Sequence, residues 1–269
     1  MNYTEPKVIY TCFPGGKHKV LTMSYDDGRL EDRRLVELFN RYGIRGTFNL
    51  NGGLPRPERI PESEWVELYK GHEVACHTYH HPTISRSPLD QTARQVLADR
   101  MQLEGVMGYP VRGLAYPNGS WTPEIALLPA LGIRYARVVG DTHDFAMPHD
   151  FMTWKATCHH KHNLLEDGKR FVELYKTQYL YMMYVWGHSF EFRTEEDWAL
   201  MEQFCQLAGG REDTWYATNI EIVDYMADAA RLQYTAAGDK VCNPNAQSIW
   251  VEVDGRHYEI PAGKTVALV

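Results

Sequence analysis

Two adjacent carboxylates end an apolar run in Thr22-Met23-Ser24-Tyr25-Asp26-Asp27-Gly28. Like charges side by side are unfavourable unless something positive stands near them. One carboxylate on a cation, with its neighbour left as a base, removes that repulsion; a turn in which Asp27 caps the next helix explains an isolated Asp-Asp-Gly equally simply. A second cluster, Gly71-His72-Glu73-Val74-Ala75-Cys76-His77-Thr78-Tyr79-His80-His81-Pro82, is rich in imidazole. His77 and His81 stand four apart, which on a helical turn aims both rings at one cation, and His77 with His80 satisfies the same test. One carboxylate and two imidazoles make a set suited to zinc, which commonly takes three protein ligands and keeps a fourth position for water. A cation there would also keep the neighbouring Asp ionised as a general base.

Hydrolysis needs an acid as well. His188, at the end of Tyr181-Met182-Met183-Tyr184-Val185-Trp186-Gly187-His188, is the side chain best poised for that role. The segment running from Val111 to Trp121 ends in a Pro117-Asn118-Gly119 turn that can aim a backbone N–H at a developing oxyanion. His159, His160 and His162 form another imidazole group, expected to lie in a solvated loop in preference to a second metal site.

Residues so far apart in sequence meet only if one frame gathers their strand ends. From residue 19 onward, apolar runs at 20–25, 46–50, 73–77, 111–116, 135–139, 181–186 and 215–219 alternate with helical patterns at 32–42, 62–70, 90–107, 123–131, 195–207 and 220–232. Ser63 and Thr194 are candidate helix caps. Alternating βα units predict an α/β fold, a distorted (β/α) barrel of about seven parallel strands, with its chemistry at the carboxyl ends of the strands. The pattern changes near residue 236 to two alternating runs around Asp254-Gly255, a tight-turn dipeptide. The expected division is a catalytic barrel over 1–235 and a small C-terminal β-hairpin appendage over 236–269.

With 269 residues, 44% of them apolar, the chain can bury a sizeable core. A formal net charge of −7 without a long basic run excludes the footprint of a nucleic-acid binder. Five scattered cysteines lack the close spacing of a zinc or redox pair and are expected as reduced thiols. No stretch reaches the length of a membrane span, and the amino terminus lacks an apolar h-region. The expectation is a cytoplasmic chain, or a secreted one if an export signal was trimmed.

The four polar segments, in this order over roughly residues 19 to 225, resemble the polysaccharide deacetylases, also called the NodB-homology domain or carbohydrate esterase family four. Ser24-Tyr25-Asp26-Asp27-Gly28 is similar to the family's (T/S)-(F/Y)-D-D-G, which implies Asp26 as catalytic base and Asp27 as metal ligand. His77-Thr78-Tyr79-His80-His81-Pro82 resembles H-(S/T)-x-x-H-P, which implies His77 and His81 as ligands and leaves His80 out. Trp186-Gly187-His188 resembles L-x-H, implying His188 as acid, with Trp186 where a Leu often lines the acetyl pocket. The R-P-P-Y-G motif is matched by Ala115-Tyr116-Pro117-Asn118-Gly119. Ala115 thus replaces the Arg that pairs with the base, and Asn118 supplies the oxyanion amide. Arg112 or Arg137 is then required as a substitute, with Arg137 preferred. Asp141-Thr142-His143-Asp144-Phe145 has the spacing of D-x-x-D-W, with Glu191 a rival for the carboxylate that orients His188.

The resemblance implies a divalent metal, usually zinc, and acetylated carbohydrate as substrate. Tyr116, Trp121, Phe145, Trp154 and Trp186 are the aromatic candidates for its binding groove. Two other readings are a hydrolase of the same fold acting on a small cyclic amide or imide, marked by a closed pocket with a cationic clamp, and a non-catalytic carbohydrate-binding protein. Oligomeric state is not legible in the sequence.

Overall fold

The computed structural model describes residues 6–54 and 56–268. After β1 (Ile9–Cys12) the chain runs β2 (Lys19–Asp26), α1 (Asp32–Arg41), β3 (Gly46–Leu50), α2 (Glu62–Leu68), β4 (Glu73–Cys76), α3 (Leu89–Met107), β5 (Gly113–Ala115) and β6 (Tyr135–Asp141). It continues through β7 (Trp154–Ala156), β8 (Cys158–His159), α4 (Leu164–Val172), β9 (Tyr181–His188), α5 (Glu195–Ala208), β10 (Thr214–Tyr216) and α6 (Asn219–Ala229). The tail adds β11 (Gln233–Tyr234), β12 (Lys240–Cys242), β13 (Ile249–Val253), β14 (Arg256–Ile260) and β15 (Thr265–Ala267).

The main sheet is ordered β7-β6-β5-β4-β3-β2-β9-β8, with parallel pairing throughout. Its two ends are one continuous piece of chain. β7 pairs β6, β8 pairs β9, and Thr157 between them donates its amide to Tyr184 O at 2.8 Å while its own carbonyl accepts from His143 N at 2.9 Å. That step closes the ring as a distorted barrel with seven strand positions. The seventh position is the 154–159 segment, not the run near 215 that the apolar pattern suggested: β10 is short and pairs only with the start of β2. All eight residues of β2 are buried. Its buried polar members are paired: the Thr22 hydroxyl donates to Asn219 Oδ1 at 2.8 Å, and Ser24 Oγ accepts from Asn49 Nδ2 at 2.9 Å.

Helices α1 to α6 cover the barrel. Thr194 caps α5 in a reciprocal box with Asp197, whereas Ser63 lies inside the first turn of α2, which starts after Pro61. The segment Pro123–Leu131 is a 3-10 helix and not the expected α-helix; Pro129 within it has no N–H to donate. Helix α4 was not anticipated. Gly168 weakens its helical signal, yet a Cβ there would come within 3.1 Å of the Phe204 ring, so the glycine permits close packing on α5. No helix among the described residues is long and apolar enough to cross a membrane.

The tail forms two three-stranded sheets, β1-β13-β14 and β11-β12-β15. The expected hairpin joins β13 to β14 through Asp254 and Gly255 at φ 48° and 81°. Its buried face, Ile249, Val251, Val253 and Ile260, packs with Phe13, Val20 and Tyr225 under the barrel.

Glu73 pins several of these elements together. Its Oε2 accepts from the Thr47 hydroxyl and the Ile220 amide, each at 2.9 Å, and its Oε1 from the Tyr135 hydroxyl at 2.8 Å. Burial outweighs these donors and pushes its carboxyl up to about 7 from an ordinary 4.5. The folded state therefore binds this proton more tightly than the unfolded chain. The contribution to stability is full below the unfolded value and is lost as pH rises through about 7. Urea unfolding of wild type and Glu73→Gln across that window should show the wild type losing stability relative to the variant. A difference that stays constant with pH contradicts the assignment.

Candidate active site

β2 delivers both carboxylates at its carboxyl end, and the backbone there separates them. Asp27 and Gly28 have φ of 81° and 60°. A Cβ on Gly28 would lie 2.7 Å from the Leu50 side chain, so only glycine fits. Asp26 stays inside the barrel: Oδ1 accepts from Asn49 Nδ2 at 2.8 Å, and Oδ2 accepts from the Arg137 guanidinium. His77 Nε2 and His188 Nε2 lie 3.8 and 3.9 Å from that same Oδ2. Burial by itself would push the Asp26 carboxyl up; Arg137, then His77 and His188, override it and hold it well below the usual carboxylate range. Asp27 faces the other way, its Oδ1 3.4 Å from Arg59 Nη2.

Thr78 and His81, with φ of 64° and 54°, curl the chain after β4. Asn51 Nδ2 holds this curl by donating to the carbonyls of His77 and Thr78 at 2.7 and 2.8 Å, and Asp99 on α3 accepts the His77 amide at 2.9 Å. His77 Nδ1 stands 2.8 Å from Ala115 O. A carbonyl can only accept, so Nδ1 carries the proton and Nε2 is a bare lone pair. That Nε2 is enclosed without a hydrogen-bond partner, and burial lowers the ring's pKa to about 4, keeping it neutral. One ligand atom each from Asp27, His77 and His81 lies within 4.8 Å of the other two. A carboxylate, a neutral imidazole with an orphaned lone pair held by a carbonyl behind it, and a second imidazole fit a divalent cation. His80 is turned out of this group, its amide donating to the Gln95 side chain at 2.8 Å.

Arg137 and Arg112 have separate fates. In the β5–β6 register Ala115 is paired with Arg137, so the guanidinium beside Asp26 comes from the neighbouring strand. Arg112 is turned outward, forming a fork on Asp224 of α6 at 2.8 and 2.6 Å. It does not reach the site. Arg137 also lies over the Trp186 ring, 4.5 Å from its centroid.

His188 ends β9, the strand next to β2, in register with Asp26. Its Nδ1 is 3.6 Å from Glu191 Oε2, and its backbone amide donates to the same oxygen at 3.3 Å. Burial would lower the His188 pKa, but the Glu191 and Asp26 carboxylates outweigh it and raise it. Glu191 Oε2 also lies 2.9 Å from His159 Nε2 and 3.4 Å from His160 Nε2. The expectation of a solvated imidazole loop thus fails for His159 and His160, which are buried, and holds for His162, which is exposed. Gly187 makes room for His160: a Cβ there would sit 1.9 Å from its Nδ1. Asp141 serves His159 N, His162 and Trp186 Nε1; among the described contacts the carboxylates at His188 are Glu191 and Asp26.

The aromatic candidates are mostly misplaced for a groove. Trp154 is fully enclosed among Tyr135, Phe151 and Tyr184. Tyr116 is buried with its hydroxyl donating to Met152 O at 2.9 Å, and Phe145 packs on Phe171 under Arg170. These three are core residues. Trp186 stands beside His188 at 5.8 Å, and Trp121 is exposed. Asn118 takes a left-handed conformation, φ 55°, and its side chain donates to Thr83 Oγ1 at 3.1 Å. Sequence reasoning missed Asn49, Asn51, Arg59 and Asp99, buried or half-buried polar groups whose partners lie on other elements; Asn49 and Asn51 at the end of β3 are hinted at by position, whereas Arg59 in a loop and Asp99 within α3 are not.

Residues 14–136 match the family model described as polysaccharide deacetylase. An uncharacterized protein of Bacillus subtilis (strain 168), YlxY, is 24% identical over 122 residues, which is 44% of this chain and only 36% of that relative. Among solved structures, a putative polysaccharide deacetylase from Mycobacterium smegmatis superposes with a TM-score of 0.62 at 17% identity, covering 81% of this chain and 93% of its own. The peptidoglycan deacetylase PdaC from Bacillus subtilis, in a mutant form, gives 0.51 at 18%, with 79% and 95% covered. At such identities the structures speak for the fold. Over residues 14–136 the sequence is similar to the polysaccharide deacetylase family, and the barrel has the fold of the Mycobacterium smegmatis protein.

Proposed function

We propose that the chain is a metal-dependent hydrolase that removes acetyl groups from an acetylated carbohydrate. The observation that carries this reading is Asp26 Oδ2, which Arg137 holds with His77 and His188 within 3.9 Å, beside the Asp27, His77 and His81 trio. Asp27, His77 and His81 would hold the cation, with zinc the ion their donor atoms favour. When bound, it would polarise the acyl carbonyl and offset the charge that develops there.

The chain's own residues do the rest. Asp26, kept anionic by Arg137, takes a proton from the water whose oxygen attacks the acetyl carbon. The Asn118 amide is the proposed donor to the developing oxyanion. As the bond from carbon to the sugar nitrogen or oxygen breaks, His188 Nε2 gives its proton to the departing atom and acetate is left. Glu191 holds the opposite face of that ring, as outer partners of catalytic imidazoles do. Trp186, over Arg137 and beside His188, replaces the usual Leu as the acetyl-pocket wall.

A cavity of about 760 Å³ adjoins Asp27, lined in part by Arg33, Arg56 and Arg59. Each arginine already faces a carboxylate: Glu64 at 2.9 Å, Glu58 at 4.0 Å and Asp27 at 3.4 Å. The rest of the wall is largely apolar, with Leu30, Leu50, Leu54, Ile60 and Trp65, and because its arginines are already paired it offers no free cationic clamp for a small acid. Acetate release from acetylxylan, chitooligosaccharides and peptidoglycan fragments by the zinc-supplemented protein tests the reading. At least one should yield acetate; release from none of them overturns it.

A further inference from the structure

At the amino-terminal end of β2, roughly 25 Å from Asp26 by the rise of the strand, side chains from both ends of the chain converge. Cys12 closes β1. The chain then doubles back through Phe13 to Lys17, where Phe13 N donates to Lys17 O at 2.7 Å, and lays His18 Nε2 3.8 Å from Cys12 Sγ. β13 pairs with β1 so that Glu252 stands opposite Tyr10, two residues from Cys12 and hence on the same face. β14 sets His257 directly opposite Glu252. Glu252 Oε2 is then 3.4 Å from His18 Nε2 and 3.2 Å from His257 Nε2. One donor atom from each of the four residues lies within 4.8 Å of the other three.

Glu252 is shared by the two imidazoles, and the fourth member, the Cys12 thiol, lies against His18 Nε2. Cys12 is fully enclosed, with its sulfur against an imidazole nitrogen and in reach of the other donors of the group. The loop is also shaped for close approach. Gly16 has φ +75°, and a Cβ on it would fall 2.8 Å from the His257 ring.

A thiolate, two imidazoles and a carboxylate are zinc's preferred donors, and a zinc tetrahedron built from usual bond lengths has nitrogen–oxygen edges of about 3.4 Å and sulfur–nitrogen edges of about 3.6 Å. The distances of 3.4, 3.2 and 3.8 Å match those edges. We propose that Cys12, His18, Glu252 and His257 form a closed, four-ligand zinc site that clips the C-terminal hairpin to the strand leading into the barrel. With four protein donors it has no open position for water, so its role is structural. Its ligands span residues 12 to 257, and binding displaces the thiol proton. This site is independent of the proposed catalytic trio.

Cobalt(II) distinguishes the two sites, because Asp27, His77 and His81 include no sulfur. The full chain loaded with cobalt should show a thiolate-to-cobalt charge-transfer band in the near ultraviolet, and Cys12→Ser should abolish it and lower bound zinc by one equivalent. His257→Gln, at a half-exposed position that tolerates substitution, should raise the cobalt needed for the half-maximal band at least about tenfold, the loss even an outer-sphere partner can cause. It decides the matter if Cys12→Ser does not fold. A wild type without a sulfur band at saturating cobalt, or a band unchanged in both variants, overturns the site.

Discussion

Asp26→Asn should lower kcat for acetate release by roughly 10²–10⁴-fold, the range set by loss of a general base. The asparagine has the same shape, but its one oxygen can take the place of only one of the two acceptors that now serve Asn49 and Arg137, and it cannot accept the proton of an attacking water. The carboxylate it replaces is suited to that task by its surroundings. Arg137, helped by His188, keeps it anionic although it is enclosed, so it is in the correct state at working pH. Because Arg137 remains buried in the variant without a counter-charge, some stability is lost too, and rates must be referred to the folded fraction. The signature is a fall in kcat with KM nearly unchanged, since Asp26 is not assigned to ground-state binding. A variant that keeps nearly full kcat removes Asp26 from the role of base.

Arg137→Met should cost about 3–5 kcal/mol of unfolding free energy, the penalty of breaking a buried ion pair and leaving one charge uncompensated. Both partners are almost wholly enclosed. The contrast within the same molecule is Arg34 with Glu195, a bidentate pair at 2.7 Å on the surface, whose removal should cost no more than about 1 kcal/mol. Urea denaturation of both variants makes the comparison. The double variant Asp26→Asn/Arg137→Met should recover part of the loss, because removing both charges removes the orphan as well. A cost below about 1 kcal/mol for Arg137→Met would mean that Asp26 does not depend on this guanidinium.

How far the sequence reveals this architecture depends on what carries each signal. β2 and β9 are rich in apolar residues and end in Asp26 and His188, so the strands and the chemistry at their ends can be read directly; β3 and β4 are shorter and carry Thr47, Asn49 and Glu73 within them. β7 and β8 are hidden because one short segment serves two neighbours: its pairing switches at Thr157, and exposed Lys155 interrupts the run. The ligand trio was narrowed by motif resemblance, whereas the curl that sets His81 beside His77 and turns His80 out depends on left-handed residues and on Asn51 and Asp99 from elsewhere. Arg137 and Arg112 look alike in sequence. Only the register that pairs Ala115 with residue 137 places one of them where the missing motif arginine would stand. Glu191 is local to His188 and could be named as a rival, but choosing it over Asp141 requires knowing that Asp141 is taken up by His159, His162 and Trp186. Aromatic residues near strand ends were overread. Trp154, Tyr116 and Phe145 fill the core, because burial of a large ring is set by packing that periodicity does not record.

The reading rests on a cation at Asp27, His77 and His81, and the most direct test is acetate release from the best acetylated substrate before chelation, after it, and after zinc is restored. Activity should disappear with the chelator, return with zinc, and be absent throughout in Asp27→Ala. Undiminished release by the chelated protein, or by Asp27→Ala, would contradict it.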